Sequence, residues 1–273
     1  TFSLHGLTSI HKRIFTGIFK HAGILRDYEI SKKEWVLDGA SVSYGFAFEL
    51  KGALSHDIQR ERDFKYTGMD MSEIVKHIAQ FTSDIWQIHP FCEGNTRTTA
   101  VFIIKYLRSL GFDVNNTTFE KNSWYFRNAL VRANYQNLQK GIYKETIHLE
   151  RFFRNLLMGE DNVLMNRHLH IKAKELLDGT TPASTPTSTP TSVIPESENI
   201  KRLISAIAEK QLSVKEMMAA VGLKDRPNFI EYSLSPAMQK GYVRMLYPDS
   251  PRHPRQKYLL TVKGLAAYKE LSR

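Results

Sequence analysis

The stretch HPFCEGNTRTTAVF, His89 to Phe102, decides how this chain reads. An imidazole, a carboxylate, a glycine, an amide and a guanidinium fall within nine residues. Then TTAVFIIKYLRSLGF follows, a helix apolar on nearly every face and ended by Gly111. A polar cluster set just before a buried helix places a site at that helix's N-terminus. There the N–H groups of Gly94, Asn95 and Thr96 point outward at a positive dipole end, an arrangement that favours phosphate. Gly94 has no side chain to keep a ligand from the backbone. Asn95 can hydrogen-bond phosphate oxygens, and Arg97 adds charge and a planar fork. Glu93 suits Mg²⁺, which commonly bridges one or two carboxylates and a nucleotide's phosphates. His89 titrates nearest neutrality and is the natural general base toward an incoming hydroxyl. Composition alone also admits a structural histidine, with Glu93 and Asn95 capping the next helix. A zinc site from His89, Cys92 and Glu93 is disfavoured, because Pro90 and Gly94 break the needed geometry and His168 and His170 are remote.

Working outward, LTSIHKRIFTGIF carries a helical stripe at Leu7, Ile10, Ile14, Phe15 and Ile18. MSEIVKHIAQFTSDIWQI repeats it at Ile74, Val75, Ile78, Phe81, Ile85 and Ile88, with Asp70 or Ser72 as cap. Later helices around Trp124–Asn134 and Ile147–Leu157 pack on the greasy central one. ISKKEWVLDGASVSY breaks the pattern. Trp35, Val36 and Leu37, then Asp38-Gly39, then Val42 and Tyr44 predict a small β-hairpin. A lone hairpin in a helical domain is marginal by itself and invites use as a docking edge.

The chain has 273 residues, enough for one large or two smaller domains. GTTPASTPTSTPTSVIPES, Gly179 to Ser197, is an extended linker by composition. It divides the chain into residues 1–175, a linker 176–197 and a module 198–273. The net charge is +10, and from Glu198 onward Lys and Arg exceed Asp and Glu by seven. A basic module meets nucleic acid or an acidic partner, or is simply a solvated face. The module's order of three helices and then two strands is that of a winged helix. In it, Ser213 and Glu216 form a capping box, and Thr261 caps a last helix. No stretch has membrane-spanning length, and the visible N-terminus shows no signal pattern, although Thr1 is not an initiator methionine. One cysteine, Cys92, excludes an intrachain disulfide and favours a reducing, cytoplasmic setting.

His89, Phe91, Glu93, Gly94, Asn95 and Arg97 resemble the Fic family signature HxFx(D/E)GNGRxxR, and the likeness extends from about Leu7 to Leu157. The resemblance implies a mainly α protein: a helical core with a small β-hairpin flap, followed by a winged-helix module of the kind found after such cores in bacterial proteins. It implies transfer of AMP from Mg-ATP to a Ser, Thr or Tyr hydroxyl of a target protein. His89 would deprotonate the hydroxyl and Glu93 would hold Mg²⁺. Gly94, Asn95, Thr96 and Arg97 would cradle phosphates. The flap residues Lys33, Trp35, Val36, Leu37, Val42 and Tyr44 would clamp the target by strand addition.

Two positions depart from the signature: Thr96 replaces its second glycine and Ala100 its last arginine. Thr96 narrows the pocket but keeps its N–H. Ala100 removes a charge-assisted contact worth about 1.5–3 kcal/mol, so another phosphate-containing donor stays open. Arg127 or Arg132 could replace that charge, or be solvated. Ser192 to Glu196 superficially fits the family's inhibitory pattern, but Pro195 breaks a helix there. An alternative of another class is a nucleotide-sensing, DNA-binding regulator with an inactive core. In the C-terminal module, Lys224, Arg226, Asn228, Arg252, Arg255 and Lys257 are candidate phosphate contacts, with docking of a target protein as the competing use.

Overall fold

The structure, a computed structural model, describes residues 2–173 and 193–273. The linker expected at 176–197 therefore lies outside the described residues up to position 192. The chain divides into two compact units. One holds Thr1–Phe64, Val75–Tyr106 and Asn115–Pro190; the second holds Lys65–Ile74, Leu107–Val114 and Thr191–Arg273.

The first unit is helical. Helix α1, Leu4–Phe15, starts where the Ser3 side chain accepts from the Gly6 N–H, and it buries Leu7, Ile10 and Phe15. Helix α2, Leu50–Asp63, buries Leu50, Leu54 and Ile58, a stripe one residue wide at four-residue spacing. Helix α3, Met71–Ile88, runs in this unit from Val75; its start, counted in the second unit, is a reciprocal cap in which Asp70 accepts from the Glu73 N–H at 3.1 Å and Glu73 from the Asp70 N–H at 2.7 Å. Helix α4, Asn95–Ser109, places Phe102 and Ile103 in the core. Short α5, Thr117–Lys121, leads into α6, Ser123–Asn134, and then α7, Ile147–Met158. Phe119, Phe126, Phe152 and Phe153 interlock there, with Phe126 and Phe152 ring centroids 4.9 Å apart. Truncating fully buried Phe152 to alanine would cost about 3–5 kcal/mol.

The flap is not the hairpin that the alternation of WVLDGASV predicts. Trp35–Leu37 form a 3₁₀ turn, Asp38 takes a left-handed conformation, and a single antiparallel bridge, Lys33 to Ser41, closes the loop. Val36, Leu37 and Val42 are all buried. Adjacent residues 36 and 37 cannot both face one side of a strand, so burial of both selects the tighter turn.

In the second unit, α8, Glu198–Ile207, buries Ile200, Leu203, Ile204 and Ile207 on one face. Helix α9, Val214–Val221, carries the Ser213/Glu216 capping box. Asp225 caps α10, Arg226–Phe229, which runs through a π turn at Ile230–Leu234 into α11, Ser235–Gln239. Strands β1, Val243–Met245, and β2, Tyr258–Leu260, pair antiparallel with Val243 opposite Leu260. Helix α12, Val262–Leu271, is capped by Thr261. Segments 65–74 and 107–114, read from sequence as part of the first domain, belong to this unit. The Lys263 N–H donates to the Leu110 carbonyl at 3.1 Å, and Arg273 pairs with Asp70 at 3.0 Å. Gly111 and Gly241 meet back to back, so a Cβ on either would strike the other's backbone. Among the described residues no helix is long and apolar enough to cross a membrane.

Candidate functional site

Helix α3 ends at Ile88 and delivers His89 into a six-residue loop before α4. His89 adopts φ +51°, a left-handed conformation that is uncommon for a residue with a side chain. Arg26 holds it there. The buried guanidinium donates through Nε to the His89 carbonyl at 2.8 Å, and through its other nitrogens to the carbonyls of Tyr28 and Gly45. The His89 ring lies under Tyr44, centroids 4.0 Å apart, with Trp86 edge-on at 5.1 Å. Only 4% of the residue is exposed. Nδ1 is sealed and lacks a partner, whereas Nε2 is not enclosed in that way. Burial first, and the Lys32 charge second, push the imidazole down to about 3, so it is neutral at physiological pH.

A second histidine, which the sequence reading passed over, fixes the loop from the other side. His11 accepts from the Gly23 N–H through Nδ1 at 2.7 Å, so its Nε2 carries the proton and donates to the Glu93 carbonyl at 3.0 Å. Its ring stacks on Phe91 with centroids 3.8 Å apart.

Asn95 makes bonds within the loop that the sequence does not predict. Its side chain accepts from the Phe91 N–H at 2.9 Å and donates to the Phe91 carbonyl at 2.7 Å, so it staples the loop. Thr96 turns its hydroxyl toward α3, where it accepts from the Trp86 indole at 3.0 Å. Gly94 sits at φ +78° against the Phe15 ring, which occupies the space a Cβ would need. Its missing side chain thus serves packing as well as backbone access. As at any helix start, the first N–H groups of α4 lack intrahelical partners.

These elements enclose a notch of about 160 Å³ lined by Lys32, His89, Glu93, Gly94, Asn95, Thr96, Arg97 and Arg127. Three cations and one helix N-terminus face a space of phosphate size. Glu93 is largely exposed and pairs with Lys32 at 3.1 Å. Arg127 belongs to α6 and is held in a two-pronged pair with buried Glu34 at 2.7 and 2.9 Å. Arg132 is elsewhere, buried and paired with Glu145. Beyond Thr96 and Arg97 lies a second cavity of about 420 Å³, lined by Ile14, Ala100, Val101, Phe119 and Phe126 with Glu120 at its edge. Ala100, where the signature has an arginine, lines this space. A lone carboxylate fits Mg²⁺ only when the remaining ligands arrive with a nucleotide, and no group of three His, Cys, Asp or Glu side chains clusters for a metal among the described residues.

The expected target clamp is reduced. Val36, Leu37 and Val42 are core residues and Tyr44 covers His89, which leaves Lys33 and Trp35 exposed. Lys32, Arg26, His11 and the Arg127–Glu34 pair are site residues that the motif did not reveal.

With this geometry in place, the comparisons define the class of the first region: residues 1–107 match the model of the Fic/DOC family. Residues 198–261 match a second model, described as Filamentation induced by cAMP protein Fic-like, C-terminal domain. Two curated relatives are similar over the first region. Protein adenylyltransferase VbhT of Bartonella schoenbuchensis is 26% identical over 115 residues, 42% of this chain and 23% of that protein. Probable protein adenylyltransferase Fic of Escherichia coli is 24% identical over 118 residues, 43% of this chain and 56% of its own. The match therefore spans less than two thirds of either relative. Among solved structures, BepC of Bartonella tribocorum with bound AMPPNP is 19% identical, with a TM-score of 0.44 over 57% of this chain and 74% of that one.

Proposed function

We propose that this protein transfers AMP from Mg-ATP to a hydroxyl side chain of a target protein. One observation carries the reading: His89, Lys32, Glu93, Arg97 and the start of α4 converge on a single phosphate-sized notch. The names of the two curated relatives support the same activity.

In this reading the first N–H groups of α4, with Arg97 and Lys32, hold the nucleotide's phosphates, and Glu93 is the residue that would hold Mg²⁺. Bound magnesium supplies neutralisation of the pyrophosphate charge. The neutral His89 takes the target hydroxyl's proton on Nε2. The hydroxyl oxygen then forms a bond to the α-phosphorus while the bond to the bridging oxygen of the β-phosphate breaks, and pyrophosphate leaves. A pKa near 3 makes His89 a weak base in the empty site; a dianionic phosphate beside it opposes Lys32 and raises that value. Lys33 and Trp35 remain as flap contacts for the target. We read the C-terminal unit as a winged-helix module joined by a Ser/Thr/Pro-rich linker.

Incubation with labelled ATP and a cell lysate, comparing the protein with His89→Ala, tests the reading. Label on a lysate protein that vanishes in the variant supports it. Background label in both removes the transferase claim.

A further inference from the structure

The second unit carries a cavity of its own. It is a groove of about 920 Å³ between α9, the turn at residues 222–226 and the β1–β2 loop at residues 246–257. That volume is at the upper end of the range for ligand pockets, about 300–1,000 Å³. Val214, Met218, Leu223, Pro251 and Tyr258 supply apolar lining, and Leu223 is 44% exposed, a large apolar side chain left in water. Lys215, Lys224, Arg226 and Arg252 supply positive charge, and no Asp or Glu lines the groove.

These cations are free to pair. The ion pairs of this unit are Lys201–Glu198, Lys269–Glu73 and Arg273–Asp70, and none involves a groove cation among the described residues. Asp249 of the β1–β2 loop does not line the groove, and Glu216 and Asp225 are engaged in helix caps. Glu216 accepts from the Ser213 N–H at 2.7 Å and Asp225 from the Asn228 N–H at 3.0 Å.

The pattern selects an occupant. A nucleic-acid backbone asks for a run of cations along the adjoining helix. Arg226 at its first position is the one cation on that helix through Gln239, and its exposed face shows Glu231 and Tyr232. Unpaired cations beside an apolar lining match a peptide that offers carboxylates and apolar side chains together.

We propose that the groove between α9 and the β1–β2 loop is a docking site for an acidic, apolar-studded peptide segment of a partner protein. The site is independent of the transfer reaction, so His89→Ala binds the peptide as the unaltered protein does.

Fluorescence anisotropy on the full chain tests it with three labelled probes: a short peptide alternating Glu and Leu, its Glu–Ser counterpart, and a short DNA duplex. The Glu–Leu peptide is expected to bind tightest, and more weakly as salt rises. Lys224→Glu with Arg252→Glu, and separately Leu223→Asp, should each weaken it about tenfold or more while leaving the melting temperature unchanged; each site is exposed. Tighter binding of the duplex would assign the surface to nucleic acid instead. No binding by any probe, or binding indifferent to these substitutions, would overturn the proposal.

Discussion

The Nε of Arg26 donates to the carbonyl of His89 at 2.8 Å across 63 residues of sequence. That bond and its companions to Tyr28 and Gly45 hold the histidine in its left-handed conformation and aim its ring at the notch. Arg26→Ala removes one side chain and leaves several buried carbonyls unpaired, at about 1–3 kcal/mol each. Thermal melts should show a loss of several degrees, and transfer should fall with it. Arg26→Lys should not rescue either property, because an ammonium cannot span three divergent acceptors.

Gly94→Ala should be damaging for two reasons that add. The left-handed backbone costs about 1–2 kcal/mol for a residue with a Cβ, and the new methyl meets the buried Phe15 ring. Overpacking of this kind costs about 1–3 kcal/mol. Denaturant titration should show the loss in midpoint with the slope unchanged.

Ala100→Arg should strengthen nucleoside triphosphate binding. The side chain would add a second cation to the 420 Å³ cavity, whose lining holds Arg97 alone of the Lys and Arg residues described. Calorimetry should show about tenfold tighter ATP binding and a smaller change for ADP, in keeping with a charge-assisted contact of about 1.5–3 kcal/mol. Pairing Ala100→Arg with Glu120→Gln should enlarge the gain by removing a competing carboxylate.

Acid should destabilise the fold through its buried histidines. His89 is pushed down to about 3 and His148 to about 4, both by burial first. Both values lie below the unfolded value of about 6.5, so as pH falls the unfolded chain binds protons first. The associated stability is present above about pH 6.5 and is lost progressively toward pH 3–4, reaching about 1.4 kcal/mol per group near pH 5.5. Melts at about pH 7.5 and 5.5 should differ less for His148→Gln than for the unaltered protein.

The motif was legible because its chemistry is contiguous: His89, Glu93, Gly94 and Arg97 sit in one loop, and the apolar run after them announces a buried helix. The caps at Ser213/Glu216, Asp70 and Thr261 were readable for the same local reason. What supports the site was not. Arg26, His11, Lys32 and the Glu34–Arg127 pair come from segments tens of residues away, and each looks like an ordinary surface residue until the fold buries or pairs it. The bonds that Asn95 makes to Phe91 were not legible, because an amide beside a phosphate loop and an amide stapling that loop have the same sequence. The flap misled through Asp38-Gly39, which does turn the chain, but Val36 and Leu37 both go inward and forbid a strand.

The account is tested most directly by crystals grown with magnesium and a non-hydrolysable ATP analogue. It predicts phosphate density at the N–H groups of Asn95, Thr96 and Arg97, with the α-phosphate nearest His89 and Nε2 facing the open side where a hydroxyl would approach. Analogue bound elsewhere, or an Nε2 blocked by a protein group with the nucleotide in place, would contradict it.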